Sequence, residues 1–148
     1  MSVTMQQVLS EIDKDEPNYA VFAALGPEAV PHLQMIAESA DPLKASKAAY
    51  AATLIGGPQA ITLLRKAADH HDPQVRIAVA HGLRNMTADA PSDMVIKSLN
   101  DADDGVRKLA LSTAGLLKRA DFKERITTMS LSDPADNLRA VAAQIVKP

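Results

Sequence analysis

A chain of 148 residues, 47% of them apolar, is long enough for one cored domain and too apolar to be disordered. Sixteen basic against eighteen acidic side chains leave a net charge of −2, which argues against a protein built chiefly to grip phosphate backbones. The absence of cysteine excludes a disulfide framework, a thiolate zinc site and a cysteine nucleophile.

In chain order, the N-terminus from Met1 to Gln7 has no basic run leading into an apolar stretch, so no secretory leader is expected. Apolar runs such as Tyr50-Ala51-Ala52-Thr53-Leu54-Ile55 fall far short of the roughly 20 residues that cross a bilayer. The expectation is a cytoplasmic chain, not held by a membrane, whose single domain spans residues 1–148 from the initiating Met1. A first helix is predicted from about Val3 to Ile12, followed by a short run, Val21-Phe22-Ala23-Ala24-Leu25. Asp-Pro then recurs at Asp41-Pro42, Asp72-Pro73 and Asp133-Pro134, with the acidic cluster Asp101-Ala102-Asp103-Asp104 filling the gap. Aspartate is a strong N-cap and proline is preorganised for the first helical position, so each of these opens a helix. Between them lie apolar-periodic segments at Glu28–Glu38, Gln59–Asp69, Ser92–Leu99 and Phe122–Leu131. Their core-facing residues are predicted to be Val30, Leu33, Ile36, Ile61, Leu64, Ala68, Val95, Leu99, Ile126 and Met129. Gly26-Pro27, Gly57-Pro58 and Ala90-Pro91 separate one helix from the next. A last helix, Leu138–Val146, completes ten helices in five antiparallel pairs.

These elements repeat. Basic anchors at Lys47, Arg76, Arg107 and Arg139 are 29, 31 and 32 residues apart, and 29 residues before Lys47 stands Asn18. The positions three, four and seven after the five anchors are all apolar, fifteen in total, where chance at 47% would give about seven. Segments such as Asp72-Pro73-Gln74-Val75-Arg76-Ile77-Ala78-Val79-Ala80 and Asp103-Asp104-Gly105-Val106-Arg107-Lys108-Leu109-Ala110 resemble HEAT repeats of the short type found in phycobilisome lyase subunits. The resemblance implies an all-α fold, a right-handed α-α superhelix with the first helix of each pair on the convex side and the second on the concave side. It also implies that each anchor arginine bonds loop carboxylates or carbonyls between repeats, with Asp41, Asp72, Asp101 or Asp103, and Asp133 as partners. Unit one departs from the pattern with Asn18, and unit two with Lys47.

No nucleophile elbow, P-loop or dinucleotide fingerprint occurs, and no nucleophile–base pair stands out, so no catalytic residue, cofactor or enzymatic role is expected. Asp69-His70-His71-Asp72 holds metal-type ligands, but adjacent helical residues diverge by about 100° and both histidines suit a helix C-terminus instead. Asp101–Gly105 has its glycine one place early for a calcium loop and Ser112 where the closing glutamate belongs. Four aromatic side chains in all, Tyr19, Phe22, Tyr50 and Phe122, argue against stacking on nucleic acid.

One strip is unusual. Positions two, five and nine after the anchors read Ala20, Ala23; Ala49, Ala52; Ala78, His81, Asn85; Leu109, Ser112, Leu116; Val141, Gln144, without a charge in a chain that is 23% charged. Small uncharged side chains on a helix face leave room for another helix. The expected function is therefore a protein-binding adaptor or scaffold that takes a partner protein, or a second copy, on this strip. Its binding residues are predicted to be Tyr19, Ala49, Ala52, Ala78, His81, Asn85, Leu109, Ser112, Leu116 and Gln144, with Arg84, Lys108 and Lys118 as a polar rim. The resemblance adds an alternative, an accessory or lyase-like subunit of an enzyme system; nucleic-acid binding ranks third.

Overall fold

The computed structural model describes residues 2–148 and contains ten helices, with no strand among the described residues. They are α1 (Met5–Ile12), α2 (Ala20–Leu25), α3 (Val30–Ala37), α4 (Pro42–Ile55), α5 (Gly57–Ala67), α6 (Pro73–Gly82), α7 (Ser92–Leu99), α8 (Asp104–Leu117), α9 (Lys123–Ser132) and α10 (Asp136–Val146). Short 3-10 segments at Pro27–Ala29, Leu83–Asp89 and Ala120–Phe122 make the joints. Four helix pairs follow in order, α3 with α4, α5 with α6, α7 with α8 and α9 with α10, while α1 packs on α3 and α4 rather than chiefly on α2 as the five-pair expectation had it. The even-numbered helices pack on one another along the array, α2 on α4, α4 on α6, α6 on α8 and α8 on α10. The molecule is an all-α solenoid.

The predicted caps form. Asp41 accepts from the Leu43 and Lys44 N–H groups at 3.0 and 3.3 Å, Asp72 from Gln74 N–H at 2.8 Å, and Asp103 from Val106 N–H at 3.1 Å. Asp133 behaves differently: α10 begins at Asp136 behind an Ala135 cap, because the Asp133 carboxylate is committed elsewhere. Leu33, Leu64, Val95, Leu99, Ile126 and Met129 are buried as expected, each side chain favouring the fold by roughly 1.5–3 kcal/mol. Ile61 and Ala68 are only half-buried, packed against the edge of the core.

A polar spine joins the repeats. Arg76 forks onto the Asp101 carboxylate at 2.9 and 3.1 Å and donates to the His70 and His71 carbonyls behind it. Arg107 does the same one unit on, forking onto Asp133 at 2.9 and 3.1 Å and donating to the Asp101 and Ala102 carbonyls. Arg139 donates to the Asp133 carbonyl at 2.6 Å and pairs with its own Asp136. Lys47 reaches back instead, to the Ile12 and Lys14 carbonyls at 3.2 and 2.8 Å. The basic row is thus internal bracing. Of the five carboxylates predicted as anchor partners, Asp101 and Asp133 take an arginine fork from the preceding repeat, whereas Asp41, Asp72 and Asp103 cap their own helices.

Candidate interaction face

The even-numbered helices lie closest at α4–α6. A β-carbon added at Gly82 would stand 2.6 Å from Thr53 Cγ2. Thr53 itself, 2% exposed, donates to the Tyr50 carbonyl at 2.6 Å and accepts from Asn85 Nδ2 at 3.1 Å. This tightness seals the α4 part of the predicted strip. Ala49 and Ala52 are 0% exposed, and so are not available to a partner. Their small side chains admit a neighbouring helix as predicted, but that helix belongs to the chain itself, since α2 and α6 flank α4.

What remains is a short piece at the head, Tyr19, Ala20 and Ala23, and a longer one over α6, α8 and α10. Tyr19, Ala78, His81, Asn85 and Leu109 are half-buried, while Ser112 and Gln144 are exposed and Leu116 is 61% exposed. Val141, 42% exposed, occupies on α10 the repeat position that Leu109 occupies on α8. Asn85 does not extend a helix: α6 stops at Gly82, and Asn85 sits in the 3-10 segment that follows. Thr87 in that segment has φ 49° and ψ −119°, a strained conformation for a β-branched residue. Arg119 holds it there, donating to the Thr87 and Ala88 carbonyls at 2.8 and 3.2 Å and to Ser92 Oγ at 2.9 Å.

Arg84 is a brace as well as a rim. Its Nε donates to the His81 carbonyl at 2.9 Å, and its other arm reaches Ser112 Oγ and Thr113 Oγ1 at 3.2 and 3.3 Å, tying α6 to α8. Lys108 and Lys118 are exposed.

Tyr50 stands three after Lys47, one of the apolar repeat positions, yet it is only half-buried. Its ring instead links Tyr19 (centroids 4.9 Å apart, edge-on) to His81 (5.5 Å, stacked). The available signal was an aromatic side chain at a position where other units carry valine or alanine. Burial raises the Tyr19 phenol above its usual range, with Tyr50 adding to the effect. Burial, helped by the charge of Arg84, holds His81 below the ordinary histidine value, and its Nδ1 is enclosed without a hydrogen-bond partner.

The other ligand-like motifs are structural. His70 and His71 stack at 4.5 Å, and His70 Nδ1 accepts from the Asp72 N–H at 3.0 Å rather than donating to a helix carbonyl as expected. Asp101 and Asp103 are spent on Arg76 and on the α8 cap. Among the described residues no group of three or more histidine, aspartate or glutamate side chains gathers around a metal-sized space, and no helix is long and apolar enough to cross a membrane.

No match is found among curated proteins. Among solved structures, the complex of CpcE and CpcF of phycocyanin lyase from Nostoc sp. PCC7120 contains a chain with this fold. The two superpose with a TM-score of 0.74 at 21% identity, over 95% of this chain and 96% of that one. That likeness overturns the expectation that no enzyme is involved, because a chain of this architecture works within a lyase complex and a missing nucleophile–base pair therefore assigns no non-enzymatic role. A family model described as HEAT repeats matches residues 29–111, more than half of the chain. With the capped hairpins and the arginine spine in place, the chain belongs to the HEAT-repeat family.

Proposed function

We propose that this protein is an interaction scaffold that binds a partner protein along the outward strip of α6, α8 and α10. The observation that carries this reading is the run of uncharged side chains Leu109, Ser112, Leu116, Val141 and Gln144, with Leu116 61% and Val141 42% exposed, on a frame already cross-linked by Arg84. A rigid apolar strip with charge at its margins loses little freedom on association. Tyr19, Ala78, His81 and Asn85 border it; Ala49 and Ala52 do not belong to it.

A photo-crosslinker placed at Ser112 is expected to trap a discrete partner in native lysate, and Leu116→Glu to abolish the adduct at an unchanged melting temperature. Equal trapping from Thr62, on α5, or survival of the adduct in Leu116→Glu, overturns the reading. A second reading, an accessory subunit within an enzyme assembly, is supported by the likeness over 95% of the chain to a component of a two-protein lyase complex. The same adduct separates the two readings: an enzyme as the trapped protein, with its rate lowered by Leu116→Glu, favours the second.

A further inference from the structure

The two ends of the solenoid expose positions that the interior units cover wholly or in part. At the tail, Leu131 is 78% exposed, whereas Leu99, at the same repeat position one unit earlier, is 0% exposed beneath the unit that follows it, whose Arg125 bonds the Leu99 carbonyl. Ala143 is exposed where Ala51, Ala80 and Leu111 are 0%, 1% and 0%. The Arg139 fork, which in Arg76 and Arg107 closes on a carboxylate of the following unit, meets only its own exposed Asp136. At the head, Ala24 is exposed where Thr53, Gly82 and Thr113 are buried; Gly82 and Thr113 press on the preceding helix there, Thr113 Oγ1 donating to the Ala80 carbonyl at 2.7 Å.

The ends also differ in charge. Residues 1–40 carry six carboxylates and one lysine, whereas residues 118–148 carry six basic and four acidic side chains. Asp15 and Glu16 at the head are exposed and make no ion pair among the described residues. Four of the sixteen basic side chains make neither an ion pair nor a hydrogen bond among the described residues, and three of these, Lys118, Lys123 and Lys147, border the cleft of about 650 Å³ between the ends of α8 and α10 and the start of α9.

We propose that copies of this chain associate head to tail: the acidic α1/α2 unit of one copy stacks on the α9/α10 face of the next, covers Leu131 and Ala143, and brings Asp15 and Glu16 to Arg139 and Lys147. The contact continues the packing already made inside each copy, and being heterologous it propagates rather than closing on itself. This surface is separate from the α6–α8–α10 strip, and the two proposals stand or fall independently.

Light scattering at low and at high salt tests it. In low salt the mass is expected to rise with concentration from 15.7 kDa past twice that value, and to fall back as salt screens the opposed charges. Ala24→Glu breaks only the head and Leu131→Glu only the tail, both at exposed sites. Each variant alone is expected to stay monomeric, and an equimolar mixture to stop at the dimer, since one good head then meets one good tail. A parent chain that stays monomeric at every concentration overturns the proposal. So does an oligomer that either variant leaves intact, or a mixture that forms no dimer.

Discussion

Asp133 accepts three hydrogen bonds at a site only 4% exposed, two from the Arg107 fork and one from the Ala135 N–H at 2.9 Å. Burial alone would push its carboxyl up. The Arg107 hydrogen bonds, the Ala135 N–H and the nearby positive charge outweigh that and hold it below the ordinary aspartate value; Asp101 is held down in the same way by Arg76. Asp133→Ala leaves the Arg107 guanidinium buried without its counter-charge, and is expected to cost about 3–5 kcal/mol in urea unfolding. Because both folded-state pKa values are depressed, their contribution is complete above the unfolded value of about 3.9 and is lost as pH falls from there through the folded values. Stability measured against pH should therefore drop below about pH 4, and drop less in Asp133→Asn. His81 acts at a higher pH: its folded value is also depressed, so protonation favours the unfolded chain as pH falls below about 6.5. His81→Phe is expected to flatten the melting temperature between neutral pH and pH 5. An unchanged slope would show that the enclosed ring is not the group responsible.

At the scale of the helices, the decisive contact is Gly82 against Thr53. Gly82→Ala forces a methyl group into 2.6 Å of Thr53 Cγ2 and is expected to destabilise by roughly 1–3 kcal/mol, part of which Thr53→Ala should restore. Additive losses in the double variant would show that the helices do not meet there. The helices themselves were legible in the sequence, because Asp41, Asp72 and Asp103 announce each start and the apolar period fixes each buried face. The end of α6 was missed although Gly82 is a local stop signal, because the apolar period runs on past it; that a side chain is excluded there depends on Thr53, some thirty residues away. Ala49 and Ala52 were misplaced for a related reason. Alanine reports that another helix comes close, but not whether that helix belongs to the same chain.

For the whole molecule, the array has a stiff centre and looser ends. Units two to four set α4, α6 and α8 between neighbours on both sides, whereas α10 is buried on one side only, with Leu138 and Ala142 inside and Ala140, Val141, Ala143 and Gln144 outside. In such arrays stability is the sum of unit and interface terms, so the ends open first. Amide exchange is expected to be slowest in α4, α6 and α8 and fastest in α2 and α10; uniform protection across all ten helices would contradict this. The repeat register made the solenoid and its spine readable from Arg76, Arg107 and Arg139. The binding strip was readable only in part, because exposure depends on how many neighbours a unit has, which a residue's place within its own repeat does not reveal.

The spine has a mechanical corollary. Asp101 gives its carboxylate to Arg76 and its carbonyl to Arg107, and Asp133 does the same for Arg107 and Arg139, so the links form one unbroken tether from His70 to Asp136. Tension applied between the termini would load these links in series. Extension under force should therefore proceed in discrete steps, each releasing one hairpin as one guanidinium lets go.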